Sequence, residues 1–314
     1  VEARCSKLPN ELPEMADDES FADLPPPVVK RNSSQINRAL SSPSLSLLVV
    51  LGALGLKRSS RVTPSVPAED AGEASNSPVP PPSSVAEACD QLNSAGKDDD
   101  WTVRNNALLA LPALLEPLVS QPEAFRKALN ALGEPMVLSL SDLRSALVRS
   151  ACHVCQKLAT AHGRALAPLV AYILPQLLLN LALLKAFASV SLTAATVCLG
   201  MAPSGTALKV CIANTKASQR QVRQGSLEFL GLLLSNPDFE LPPKGVAAAM
   251  VAMGTSKPAG RGVTDPDSTV RTAAAKAYWV AASRYPGSEE VAGWLAKLAD
   301  RERKLIDKHR PPGS

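Results

Sequence analysis

From Ser84 onward, apolar residues return every three or four positions within stretches separated by short polar breaks. Recurrence at i, i+3, i+4 and i+7 places those side chains on one face of an α-helix. The pattern predicts eleven helices, over residues 83–95, 101–119, 122–140, 142–163, 164–184, 185–201, 204–214, 219–234, 242–254, 266–286 and 288–309. The clearest start signal is Ser83-Ser84 with Glu87 close behind, which can satisfy the free N–H groups of a first turn. Alanine and leucine dominate while aromatics make up 4% of the chain, which suits helix packed on helix.

Taken in twos, the helices repeat at about 40 residues, the period of a HEAT-type array. The expected fold is all-α: an α-solenoid of HEAT-like pairs over residues 84–314, each burying its stripe only by stacking on its neighbours. Pro112, Pro168 and Pro175 fall inside helical stretches and should kink or break them. Residues 1–83 hold 12 prolines and 14 serines and read as a disordered Pro/Ser-rich tail, with too little apolar surface to offset the entropy of ordering. Within it, LSLLVVLGALGL (45–56) is 12 residues long. A membrane span needs roughly 20. A short docking helix and a frame error in a gene model both stay open for that stretch. The chain starts at Val1 without methionine and stops at HRPPGS, as a fragment of a longer protein or an incomplete gene model would.

Charge is uneven. Residues 1–83 hold 8 Lys and Arg against 10 Asp and Glu, a net of −2, whereas residues 84–314 hold 25 against 19, a net of +6. A moderately basic folded part suits an acidic partner, yet it lacks the clustered stripe of a nucleic-acid binder. Neither nucleic acid nor membrane is expected as a partner. Six cysteines without a secretory leader make no disulfide framework and point to a reducing, intracellular setting.

Candidate chemistry centres on SACHVCQKLATAHG (150–163), where Cys152 and Cys155 flank His153. Two thiolates on one helix could begin a zinc site, but a structural zinc needs four ligands and no second pair stands at metal spacing. Leu147, Ala151, Val154, Cys155 and Leu158 form one helical stripe, with Cys152 beside it and His153 turned away. Core packing is therefore the expectation for both cysteines, with no metal and no cofactor. A zinc enzyme at Cys152 and Cys155 is the outlying alternative. The three histidines, His153, His162 and His309, join no acid, base and nucleophile, so no enzymatic activity is expected.

The informative residues lie in the breaks between paired helices, which a solenoid gathers on one edge. They are KDDDW ending at Trp101, SLSDLRS (139–145), LLK ending at Lys185, KASQRQVR ending at Arg223 and DPDSTVR ending at Arg271. Asp142, Ser218 and Asp267 are expected to cap helices. Caps do not account for a tryptophan set behind three aspartates, and tryptophan and arginine are the commonest interface anchors.

DDWTVRNNAL, DLRSALVRSACHVCQKLATAHG, RQVRQGSLEFLGLLL and DPDSTVRTAAAKAYWVAASRYP resemble the TOG domains of the CLASP family of microtubule regulators, a likeness covering about residues 84 to 310. The resemblance implies binding of the αβ-tubulin heterodimer through the intra-repeat loops, no enzymatic activity, and a role in slowing microtubule shrinkage and promoting rescue. It implies a cytoplasmic, cytoskeletal location, with spindle and cilium both open. On this likeness Trp101, followed by Thr102, matches the first loop, and Leu143 with Arg144 the second. Lys185 matches the third, Arg220 and Arg223 fall in the fourth, and Asp267, Ser268 and Arg271 match the fifth. LALLKAF is more apolar than the family's third loop, which is expected to lessen the contact at Lys185, and GTSKPAGRGV lengthens the approach to the fifth and so leaves the placement of Arg271 open. Ser6-Lys7-Leu8-Pro9 resembles a short motif that docks on end-binding proteins, at a length chance alone supplies. The alternative reading is a HEAT scaffold whose edge binds a protein other than tubulin.

Overall fold

Ser84 opens the first helix as the sequence predicts. Its hydroxyl accepts from the Glu87 N–H at 3.2 Å, while the Glu87 carboxylate accepts from both the N–H and the hydroxyl of Ser83 at 2.8 Å. These bonds hold the Glu87 carboxyl below its ordinary pKa. The structure, a computed structural model, describes residues 80–94, 101–254 and 262–312. Nearly all of the Pro/Ser-rich region, including residues 45–56 and Ser6–Pro9, lies outside the described residues.

Twelve α-helices and no strand occur among the described residues. They are α1 (Val85–Asn93), α2 (Trp101–Leu115), α3 (Pro122–Leu140), α4 (Ser145–His162), α5 (Ala167–Asn180), α6 (Lys185–Met201), α7 (Gly205–Asn214), α8 (Arg220–Ser235), α9 (Pro243–Ala252), α10 (Ser268–Arg284), α11 (Glu289–Ala296) and α12 (Asp300–Lys308). Odd-numbered helices pack on one another in sequence order, and so do even-numbered ones. Partners such as α1 with α2, α5 with α6 and α7 with α8 pack across the two layers. The core lies between the layers and is built from fully buried leucines and alanines such as Leu108, Leu111, Leu147, Ala195 and Leu230. This is the expected α-solenoid of helix pairs.

Three expectations need correction. Pro112 and Pro175 break nothing: α2 and α5 run through them, and Pro168 sits in the first turn of α5, where its missing N–H costs no bond. Of the three predicted caps, only Asp267 acts as one, accepting from the Thr269 N–H at 2.8 Å. Asp142 lies two residues before Arg144, the residue at the N-cap of α4, and accepts its N–H at 2.7 Å. The Ser218 hydroxyl instead donates to the Gln219 side chain at 3.1 Å.

The third correction concerns residues 288–309, which form two helices where the pattern predicts one. The chain turns at Lys297–Ala299, buries Leu298, and returns α12 against α10. There Ile306 is fully buried and its carbonyl accepts from the indole N–H of Trp279 at 2.8 Å. The Arg310 guanidinium lies 4.6 Å above that same ring. Without the turn, one straight helix would carry Ile306 away from α10. The break has no proline or glycine to mark it, so hydrophobic spacing alone could not reveal it.

Candidate protein-binding edge

The even-numbered helices from α4 to α10 run parallel, as bonds between residues at like depths show, including Arg284 at the end of α10 to the Pro237 carbonyl after α8. Cys152, eighth in α4, meets Ser191, seventh in α6, at 3.7 Å, and Asn236 after α8 donates to Gly200 near the end of α6 at 2.9 Å. Parallel helices in one layer bring their first turns to one edge. Trp101 begins α2, Arg144 precedes Ser145 at the start of α4, Lys185 begins α6, Arg220 begins α8 and Ser268 begins α10. The edge foreseen from the sequence is therefore continuous in the fold.

Its residues differ sharply in availability. Trp101 is 37% exposed, Leu143 is 72% and Leu184 is 69%. Thr102, Lys185 and Ser268 are exposed as well, and Arg144 is half-buried. Arg220 is exposed and lies 3.4 Å from the Asp267 carboxylate. The Asp267 carboxyl is held down to about 2, mainly by its hydrogen bonds from Thr269 and in smaller part by Arg220.

Arg223 is the exception. At 4% exposure it faces the interior. It donates from Nε and Nη2 to the Asp265 carboxylate at 2.7 and 3.0 Å, and from Nη1 to the carbonyls of Ala217 and Ser218 at 3.1 and 2.9 Å. The paired carboxylate raises the Arg223 pKa further. This forked pair is a brace between the fourth and fifth turns, not a partner contact, and the expectation for Arg223 is corrected accordingly. Arg271 repeats half of the device, with Nη1 donating to the carbonyls of Asp265 and Pro266, both at 2.8 Å.

The same brace recurs at the other end of the array. Arg104, buried in the first turn of α2, pairs with Asp142 of the second turn at 2.9 Å. Sequence reasoning missed Arg104 and Asp265. The signal was present: Val103-Arg104, Val222-Arg223 and Val270-Arg271 each occupy the third and fourth positions of an even-numbered helix. In α2 and α8 that register buries the arginine against a carboxylate of the next turn, which marks Arg104 and Arg223 as structural.

The third turn is held differently. Asn180 ends α5, fully buried, and donates to the Leu140 carbonyl at 2.9 Å and the Ser191 hydroxyl at 3.2 Å while accepting from Gln176 at 2.7 Å. Its own carbonyl accepts from the Leu183 N–H at 3.1 Å. Just before that, Leu181 packs over Gly225 of α8 so closely that a Cβ there would collide with its side chain. A larger residue there would require the end of the Leu181 side chain to move aside.

The cysteines belong to the core. Cys152, Cys155, Cys198 and Cys211 are buried. Burial pushes their thiols up, to about 11 for Cys152 and about 12 for Cys198 and Cys211. Such thiols stay protonated at neutral pH, unsuited to nucleophilic attack or metal ligation. Among the described residues no cluster of His, Cys, Asp and Glu could hold a metal ion, and no helix is long and apolar enough to cross a membrane.

Residues 83–307 match the family model described as CLASP N terminal. The chain belongs to the CLASP N-terminal family. That span contains all twelve helices except the last residue of α12, and so the whole edge. CLIP-associating protein 1 of Xenopus tropicalis is 27% identical to this CLASP-family chain over 234 residues, which are 72% of the chain and 15% of that relative. The chain thus spans a small part of that protein's length. A solved structure from work on tubulin recruitment and assembly by microtubule polymerases with Tumor Overexpressed Gene (TOG) domain arrays is 18% identical. The match covers 71% of this chain and 45% of that one, with a TM-score of 0.51. A solved structure from work on how Crescerin uses a TOG domain array to regulate microtubules in the primary cilium is 17% identical over 67% of this chain and 85% of its own, with a TM-score of 0.49. At 18% identity the match with a TM-score of 0.51 speaks to fold alone: this CLASP-family domain has the paired-helix architecture of a TOG domain.

Proposed function

We propose that this domain binds the αβ-tubulin heterodimer along the edge formed by the first turns of its even-numbered helices, and thereby slows microtubule shrinkage and promotes rescue. The observation that carries the reading is the family match over residues 83–307, which takes in every turn of that edge. Two features support it. Trp101 and Leu143 stand exposed on turns backed by a packed solenoid, so little ordering cost is incurred on binding. The folded part also carries an excess of positive charge, which favours encounter with an acidic partner.

In this reading Trp101, Thr102, Leu143, Arg144, Lys185, Arg220, Ser268 and Arg271 face tubulin. Asp267 orders the fifth turn, and Arg223 serves from beneath. The domain acts by binding, without a chemical step of its own, and resides on the microtubule cytoskeleton. Gel filtration of the purified chain with soluble αβ-tubulin tests the proposal. Co-elution that is lost in Trp101→Ala supports it, and separate elution at low salt would falsify it.

A further inference from the structure

Resting on that reading, we propose that tubulin is gripped chiefly by an apolar ridge, Leu143 with Leu183 and Leu184, and that the arginines of the edge contribute less than their number suggests. The arginines are largely occupied. Arg223 is buried in its brace, Arg271 directs Nη1 to two backbone carbonyls, and Arg220 lies against Asp267. Charge already committed inside the protein has less to offer a partner.

The leucine side chains are exposed. Leu184 occupies the N-cap of α6 in extended backbone, and Leu183 beside it is 45% exposed. Their backbone, in contrast, is fixed. The Leu183 N–H is bonded to Asn180, and the Leu184 carbonyl accepts from the N–H groups of Phe187 and Ala188 at 2.9 and 3.0 Å. The buried Gln176–Asn180–Ser191 network holds the turn from below. Two adjacent leucines carried on a rigid turn are a preorganised apolar contact at the centre of the edge. Leu143 continues the ridge on the second turn and Trp101 on the first. Lys185, next to Leu184 and exposed, supplies a cation at its flank.

The third turn, more apolar than the family pattern, is then the main grip and not a weakened one. Covering one such leucine completely is equivalent to about tenfold or more in affinity. Contacts of this kind set the dissociation rate and are insensitive to salt, whereas rim charges act on association and fade with ionic strength.

The test measures binding of purified αβ-tubulin to the full chain at low salt and at about 0.15 M salt. The comparison is between wild type, Leu183→Ser/Leu184→Ser, the milder Leu184→Gln, and Lys185→Ala, with melting curves for each. The expected result is an unchanged melting temperature and at least about tenfold weaker binding for both leucine variants at both salts. Lys185→Ala should lose a few-fold at low salt and little at about 0.15 M. Wild-type binding that survives in both leucine variants overturns this inference and leaves the tubulin edge standing. A wild-type chain that does not bind tubulin at all overturns both. Self-association of the chain that the leucine variants abolish, with tubulin binding intact, assigns the ridge to a second copy and overturns the inference as well.

Discussion

Replacing Arg223 with alanine separates a brace from a surface contact. An exposed, partner-facing arginine costs the fold within about 0.5 kcal/mol when removed. Arg223 instead places four hydrogen bonds inside the protein, two of them to Asp265, whose side chain has no exposure. Without the guanidinium, that carboxylate keeps the Asp267 N–H at 2.9 Å and loses its countercharge, and two carbonyls at the start of α8 lose their donor. Removing one member of a buried ion pair costs about 3–5 kcal/mol, because the other charge is left stranded. For a folded unit of this size each kcal/mol lowers Tm by about 2–4 °C, so a fall near 10 °C is expected. Far-UV circular dichroism reads both, the Tm by thermal unfolding and the free-energy loss by urea denaturation, with Arg220→Ala as the exposed control. Arg223→Met/Asp265→Leu should recover a good part of the loss, since it strands no charge. A loss below about 1 kcal/mol in Arg223→Ala would place the guanidinium at the surface and refute the brace.

Other outcomes follow from the same geometry. Trp101→Ala should leave Tm nearly unchanged and weaken tubulin binding by about 2 kcal/mol or more, read by titration calorimetry. Trp294→Ala should cost about 3–5 kcal/mol of stability, because that ring is buried and stacked on Tyr278. Trp294→Phe should be far milder, since the indole N–H has no hydrogen-bond partner to lose. The Asp267 carboxyl titrates near 2, below its unfolded value, so its stabilising contribution is complete above about pH 4 and disappears as pH falls through about 2. The stability gap between wild type and Asp267→Asn, followed by urea melts, should narrow over that window. The core thiols should stay unreactive toward a disulfide reagent in the native chain and react on unfolding; rapid native labelling of Cys152 would contradict its burial.

Much of the fold was readable because helix spacing and repeat period are local properties of the chain. The cysteines show it well: the stripe of Leu147, Ala151, Val154 and Leu158 placed Cys155 in the core without any structure. Partners across repeats were harder. Arg220 and Arg223 stand three apart and look equivalent in the chain, yet one is exposed and the other fills a buried fork, a difference set by Asp265 of another repeat. The turn at Lys297–Ala299 was hidden for a like reason, since it is decided by where Ile306 can be buried against α10 and not by a breaker residue. Surface availability was the least legible property. The third turn looked poor by its composition, but its leucines are among the most exposed large apolar residues described.

Leu181 over Gly225 has a mechanical consequence. The first and second turns, and the fourth and fifth, are joined by arginine–carboxylate pairs whose directional bonds resist sliding. Between the third and fourth turns the contact at the edge is a leucine lying on bare backbone, which has no preferred direction in the plane of contact. At its other end α8 is tied to α6, where Asn236 donates to the Gly200 carbonyl. The end of α8 nearest the edge therefore lacks the directional bonds that hold its far end, and strain on the array is expected to be taken up first in the spacing between Lys185 and Arg220.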